Sequence, residues 1–236
     1  MGHVAVCRMP LHGWRRRDYN RAMSPPARQL AAIVIADVAG YAEMIDADEA
    51  GGHERFGDLT GNIFKPLLKQ HNGRLVQIKS DALLSTFTSA VAAVNFAVDV
   101  QRTLPIHQSD WPHGHRMRFR LGIGLGEVII EGDDVHGDGV RVADQLRELA
   151  DPGGILIAGS VVDQVRRRLD HVAFEDMGPR EVEDMPDPVP AYRVLLDPSV
   201  IEVEADGGKV LTGRRIALAL LVLVLFAGAA LWKLRG

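Results

Sequence analysis

Apolar and polar positions alternate in blocks along the chain, and the blocks predict strands and helices in turn. The run Leu30–Ala36 is continuously apolar, which is typical of a strand buried on both faces. It ends on Asp37, and residues 47–70 then carry apolar side chains on one helical stripe. The Asn72-Gly73 pair is a typical end for that helix. The pattern therefore predicts a buried strand followed by a helix.

The later segments continue this alternation and define the fold class. The predicted segments are strands over Arg74–Ser80, Ala82–Phe87, Arg116–Leu125, Glu127–Glu131, Ile155–Ala158, Phe174–Met177 and Ala191–Leu196, and helices over Ser89–Leu104, Val140–Ala150 and Gly159–Leu169. The order strand–helix–strand–strand–helix–strand is the ferredoxin-like βαββαβ pattern. We therefore expect an α+β sandwich with extra C-terminal strands and with its helices packed against one face of the sheet.

The two ends of the chain depart from this pattern. Residues 1–28 are basic and proline-containing without periodicity, which predicts a disordered leader before the folded domain at 29–197. Residues 198–213 have the composition of a linker. Within 214–234, the stretch 216–232 contains no charged residue and reaches the lower limit of ~17–25 residues for a spanning helix. Basic residues flank it, so we expect one C-terminal transmembrane helix in the inner or cell membrane.

Charge and cysteine content narrow the possible functions. The net charge is −4 with 25% charged residues, a balance that does not favour nucleic acid as a partner. The single cysteine, Cys7, cannot form an internal disulfide, and no Cys/His cluster has the spacing of zinc ligands. A reducing compartment and a partner other than nucleic acid are expected.

Two aspartates occupy corresponding places in the predicted sheet. Asp37 ends the first strand, and Asp81 lies at the tip of the hairpin that follows. The first strand of this fold lies beside the hairpin, so the two carboxylates can meet at one edge. Paired carboxylates there suit hard divalent ions that also bind phosphate oxygens. Spacing alone leaves open that one aspartate merely ends a strand and the other merely makes a turn.

Short motifs in unbroken order add a family resemblance. They are Ala36–Tyr41, Gly73–Val76, Ser80–Leu84, Phe119–Val128, Gly132–Val140, Pro152–Ile155, Phe174–Gly178 and Tyr192–Val194. Together they cover residues 28–196 and resemble the class III adenylate cyclases, most of all the bacterial ones that place this domain before a transmembrane helix.

The resemblance implies an enzyme, a substrate and a metal site. It implies a cytoplasmic catalytic domain that converts a nucleoside triphosphate, ATP first among them, into a 3′,5′-cyclic nucleotide and pyrophosphate. Two ions, Mg²⁺ or Mn²⁺, would be held by Asp37, Val38 and Asp81. Charge builds up on the phosphoryl oxygens during such a transfer, which is why metal ions and basic groups are needed.

The same resemblance reveals departures in the half of the site that the second subunit of a dimer supplies. Gln77 stands where the family has a lysine, and Lys79, two residues later on the same strand face, is a candidate substitute. The acid of the glycine loop is kept as Asp134. Arg141 replaces an asparagine, and Gln145 replaces the arginine that stabilises the transition state. We therefore expect substrate binding at Gln77, Lys79 and Asp134. A catalytic role is expected at Arg141 and Gln145.

Three interpretations stay open on the sequence alone. The chain is a cyclase with a rearranged base-binding half, in which Gln77 could accept another base, even a pyrimidine. Alternatively, it is the metal-donating member of a heterodimer and requires a partner that holds the missing residues. In the third interpretation, it is an inactive cyclase-like module that binds nucleotides or partners beside membrane lipid.

Overall fold

A computed structural model describes residues 28–131 and 134–196. The predicted linker at 198–213 and the transmembrane segment at 214–234 lie outside these residues, as does all of the predicted leader except Arg28. In the described part of the chain, no helix is both long and apolar enough to cross a bilayer. The membrane anchor therefore stays a prediction.

The described residues contain eight strands, six α-helices, one π-helical turn (Thr60–Phe64) and one 3₁₀ turn (His113–His115). The strands are β1 (Arg28–Val38), β2 (Arg74–Lys79), β3 (Ala82–Phe87), β4 (Phe119–Glu131), β5 (Asp134–His136), β6 (Ile155–Ala158), β7 (Ala173–Arg180) and β8 (Val189–Leu195). The α-helices are α1 (Tyr41–Ala47), α2 (Glu49–Leu59), α3 (Lys65–Gln70), α4 (Ala90–His107), α5 (Asp138–Leu149) and α6 (Gly159–Val165).

The strands form one mixed sheet in the order β2-β3-β1-β4-β6-β8-β7, with β5 paired to β4. β1 is antiparallel to both of its neighbours, β3 and β4. The only parallel pair in the described sheet is β4 with β6, which follows the α5 crossover. The expected α+β fold is confirmed, and the strands β4-β1-β3-β2 lie in the order that the βαββαβ pattern has.

The prediction of two strands joined near Gly126 is wrong. A single strand, β4, runs through this position, because Gly126 stays in register opposite Ala31 of β1. A glycine inside a strand usually signals a bulge or a close backbone approach. Here the reason is a close approach, since a Cβ at Gly126 would lie 2.7 Å from the backbone nitrogen of Gly139 in α5.

The expectation that all helices pack on one face is also wrong. Alternate residues of β1 enter two different hydrophobic clusters, as its strand periodicity dictates. Ala32, Val34 and Ala36 belong to the large cluster that contains α4, whereas Ile33 and Ile35 pack with residues of α5. The sheet is therefore covered on both faces, with α5 on the face opposite α4.

The helix predicted over 47–70 is divided into several segments. α1 ends at Ala47, and Asp48 then caps α2 by accepting a hydrogen bond from the backbone N–H of Gly51 at 3.0 Å. That hydrogen bond, followed by the one from Arg55, lowers the pKa of the Asp48 carboxyl. A π-helical turn over Thr60–Phe64 separates α2 from α3. Periodicity detected the apolar stripe but not the cap that interrupts it.

Candidate functional site

Asp37 and Asp81 are brought together by the pairing of three strands. Asp37 lies near the end of β1 in register with Ala82 of β3, and Asp81 occupies the turn between β2 and β3. The backbone N–H of Val38 donates to the Asp81 carbonyl at 3.2 Å. The end of β1 is thereby fixed against the hairpin tip, and the two aspartates lie side by side.

Both aspartates line one open cavity of about 550 Å³ between the β2–β3 hairpin and α5. Its polar lining includes Asp37, Gln77, Lys79, Ser80, Asp81, His136, Asp144 and Arg147. Gln77 and Lys79 face the same space because they lie two residues apart on β2. Two of the metal-binding candidates, Asp37 and Asp81, therefore share one cavity of a single chain with two of the substrate-binding candidates, Gln77 and Lys79.

The Asp37 carboxylate is buried and paired with two guanidinium groups. The residue is 2% exposed. Arg120, directly opposite on β4, donates through Nε to Oδ1 at 3.0 Å and through Nη2 to Oδ2. Arg147 of α5 donates through Nη1 to Oδ2 at 2.5 Å. A buried carboxylate needs such charge-assisted partners to offset its loss of hydration.

Arg147 joins Asp37 to two further carboxylates on its own helix. Its Nε and Nη2 atoms donate to Oδ1 of Asp144 at 2.9 and 2.7 Å, and Nη2 also reaches Glu148 at 3.1 Å. Burial opposes the charge of this guanidinium, but the hydrogen bond to Asp144 and the negative charge of Asp37 outweigh it and raise the pKa of Arg147. The guanidinium therefore stays positively charged between three carboxylates.

The chain is 36% identical over 162 residues to a putative adenylate cyclase 3 of Rhizobium meliloti (strain 1021), a match that covers 69% of this chain and 27% of that protein. It superposes on an adenylate/guanylate cyclase/hydrolase from Silicibacter pomeroyi with a TM-score of 0.68 and 28% identity over 73% of this chain and 100% of that one. These likenesses indicate a class III adenylate/guanylate cyclase domain.

A second solved structure extends the likeness in fold. The adenylyl cyclase CyaB from P. aeruginosa gives a TM-score of 0.65 at 18% identity, over 75% of this chain and 100% of that one. No protein-family model matches the chain. The present chain spans about a quarter of the Rhizobium protein, with 27% of its length covered.

The donor atoms of this site fit a divalent cation. Carboxylate and carbonyl oxygens are the ligands that Mg²⁺ and Mn²⁺ prefer, and Asp37 and Asp81 present them to one cavity. The two guanidinium groups on Asp37 give this carboxylate the +2 charge that a divalent ion would supply. In the described residues, no group of three or more His, Cys, Asp or Glu side chains is placed around a common metal position. Because Mg²⁺ is commonly held by one or two carboxylates together with substrate phosphates, the pair of Asp37 and Asp81 fits an ion that is shared with phosphate oxygens.

Two other predicted site residues, Arg141 and Gln145, do not line this cavity. Arg141 is exposed on α5 and pairs with Asp138 at 3.7 Å and with Asp184 at 3.6 Å. Gln145, one turn later, is half-buried and is not part of the cavity lining. Asp134 begins β5, in register with Glu131. The catalytic and substrate-binding roles predicted for these residues stay predictions.

Sequence reasoning missed Arg120 and Arg147, which hold the buried carboxylate. Arg120 follows Phe119 within a motif of the resemblance, but only the antiparallel register with β1 reveals that it faces Asp37. Arg147 lies two residues beyond Gln145, outside the positions that the resemblance marked. The signal available was an unpaired acid on a buried strand, which requires a cationic partner elsewhere in the chain.

Tyr41, also missed, lies beside the metal-binding candidates. Its phenol is hydrogen-bonded to Nδ1 of His53 at 3.0 Å. Burial, and then the negative charge of Asp81, raise the pKa of the Tyr41 phenol. The phenol therefore stays neutral, and it adds no charge to the site.

Ser80 adopts a backbone conformation that favours glycine. Its φ is 39°, in the left-handed region. We expect Ser80→Gly to raise the free energy of unfolding by up to about 1 kcal/mol, since relief of strain exceeds the added chain entropy. Thermal unfolding measures the change. Ser109→Gly, at an exposed position without positive φ, is the control and should be slightly destabilising; equal losses at both positions would contradict the prediction.

Proposed function

We propose that this domain forms a 3′,5′-cyclic nucleotide and pyrophosphate from a nucleoside triphosphate, with ATP as the first candidate, by two-metal catalysis. The observation that carries the proposal is the convergence of Asp37 and Asp81 on one cavity with Gln77 and Lys79. The volume of about 550 Å³ is in the range of small-molecule sites, which hold ~300–1,000 Å³.

Some residues of the chain would bind the metal ions, and others would bind and orient the nucleotide. Asp37, Asp81 and the Val38 carbonyl would hold two divalent ions, which when bound lower the pKa of the ribose 3′-hydroxyl and neutralise the triphosphate. Lys79 places a positive charge at the rim of the cavity, and the Gln77 amide can both donate to and accept from a base. The 3′-hydroxyl then loses its proton to water, and its oxygen bonds to the α-phosphorus as the bond to pyrophosphate breaks.

The exposed position of Arg141 favours a requirement for a second subunit. Arg141 lies outside the cavity of its own chain with its side chain 48% exposed, so it is accessible to a site formed with another copy or another cyclase domain. We therefore propose a dimer, either of this chain with itself or of this chain as the metal-donating partner. The neutral Gln145 favours the heterodimer in which this chain donates the metal site, because glutamine supplies no charge at the transition state.

The test uses the purified full chain with ATP, GTP, CTP or UTP and Mn²⁺, and detects cyclic products by mass spectrometry. We expect a 3′,5′-cyclic product from at least one nucleotide. The absence of product from all four would exclude the homodimeric enzyme. Addition of an intact cyclase domain then tests the heterodimer, where activity must depend on Asp81 of this chain; no activity in either arrangement would overturn the proposed function.

A further inference from the structure

The two arginines on Asp37 approach it from different sides. Arg120 comes from the neighbouring strand within the sheet and does not line the cavity. Arg147 comes from α5 and lines the cavity together with Asp37, Lys79 and Asp81. Arg147 is therefore the partner that lies between the buried carboxylate and any ligand in the cavity.

The charges around this cavity do not favour a triphosphate as they stand. Among the described residues, the charged groups in or beside this cavity are four carboxylates and three cations: Asp37, Asp81, Asp144, Glu148, Arg120, Arg147 and Lys79. Their sum is negative, and a nucleoside triphosphate is strongly negative as well. Divalent ions reverse this sum, but an ion on Asp37 competes with the guanidinium of Arg147 for the same oxygen, Oδ2.

We propose that Arg147 is a substrate-binding residue that leaves Asp37 when a divalent ion binds there and then contacts the triphosphate. This inference deepens the proposed function and rests on it. The ion and Arg147 would thus replace the present ion pair by two interactions with the nucleotide. The protein avoids leaving a buried charge unpaired in either state.

The anchoring of Arg147 suits such an exchange. Its other partners, Asp144 and Glu148, are on the same helix and have side chains 52% and 56% exposed, so they remain with it at the rim of the cavity. Only the Nη1 contact to Asp37 has to be given up, while Nε and Nη2 keep their bonds to Asp144. Asp144 and Glu148 lie on the same helix as Arg147, so the three side chains can turn together without a shift of α5.

The exchange also offers a source for the missing positive charge. The resemblance places the transition-state arginine at position 145, where this chain has glutamine. Arg147 is a guanidinium already directed into the cavity of its own chain. A planar guanidinium can bind two phosphate oxygens at once, which an amide cannot do.

The experiment measures binding without turnover in the purified full chain. Binding of Mn²⁺ is followed by its electron paramagnetic resonance signal, and binding of 3′-deoxy-ATP, which has no attacking hydroxyl, by calorimetry with Mn²⁺ present. For Arg147→Ala we expect Mn²⁺ affinity to rise by about threefold or more and 3′-deoxy-ATP affinity to fall by about tenfold or more. AMP, which lacks the β- and γ-phosphates, should bind both proteins alike.

Two further variants control for folding and for general charge. Arg147→Gln keeps most of the side-chain volume and should show the same opposite shifts, which decides the matter if the alanine variant does not fold. Arg168→Ala removes an exposed arginine near the end of α6 and should change neither affinity. The inference would be overturned if both Arg147 variants kept the two affinities unchanged, or if both variants lost affinity for Mn²⁺ as well as for 3′-deoxy-ATP. Either result would leave the proposed function standing. If the unaltered chain binds neither Mn²⁺ nor any 3′-deoxynucleoside triphosphate, the proposed function fails with it.

Discussion

Replacing Asp37 with asparagine should reduce cyclic-nucleotide formation by at least about 100-fold and also destabilise the domain. The amide keeps the shape of the side chain but loses the negative charge that binds a divalent ion. It also leaves Arg120 and Arg147 facing a neutral group at a position that is only 2% exposed. We expect the free energy of unfolding to fall by about 1–3 kcal/mol.

Asp81→Asn provides the comparison that separates the two effects. Asp81 is half-buried, and within residues 28–131 and 134–196 no arginine or lysine forms an ion pair with it. Its replacement should remove activity to a similar degree while changing the free energy of unfolding by less than about 1 kcal/mol. Cyclic product and urea unfolding, measured on both variants, show whether the two losses are independent.

An exposed carboxylate serves as the control for this pair. Asp163 lies on the exposed side of α6, and Asp163→Asn should alter neither activity nor stability beyond a few tenths of a kcal/mol. Full activity of the Asp37→Asn protein would exclude metal binding at this carboxylate. If the Asp37→Asn protein is inactive but as stable as the unaltered protein, burial of Arg120 and Arg147 does not require the negative charge of Asp37.

Strands whose ends are marked by neighbouring polar or turn residues could be predicted from the sequence. The bounds of β3 and β6 agree with the prediction residue for residue, because polar or turn residues border each apolar run. α4 extends three residues beyond the predicted end at Leu104, through Pro105. Helix ends depend on caps and on tertiary packing, so their positions follow less directly from periodicity.

The parts that the sequence did not reveal depend on contacts between distant segments. Arg120 and Asp37 are 83 residues apart, and Arg147 and Asp37 are 110 apart, so neither pair leaves a periodic signal. The register of β1 with β4 and the position of α5 decide both contacts. The same position of α5 explains why glycines occur at alternate positions of β4, a feature that suggested a break in the strand.

The largest stability effect is expected at Gly122, where α5 lies directly on β4. A Cβ at this position would be 2.0 Å from the carbonyl oxygen of Ala143 and 2.4 Å from the backbone nitrogen of Arg147. Both contacts are with helix backbone, so the helix must move as a unit. We expect Gly122→Ala to lower the free energy of unfolding by about 3 kcal/mol or more, or to prevent folding. At that loss, the midpoint of thermal unfolding would fall by about 6–12 °C.

Gly57→Ala is the matched control because it makes the same chemical change without a steric conflict. Gly57 lies in α2, and a Cβ there would meet no atom within 4 Å. Alanine favours the helix over glycine, so this variant should be more stable by about 0.5–1 kcal/mol. Since a displaced α5 also carries Arg147 away from its place in the cavity lining, any folded Gly122→Ala protein should bind triphosphate less tightly than the Gly57→Ala protein. Equal unfolding midpoints for the two variants would contradict the direct contact between α5 and β4.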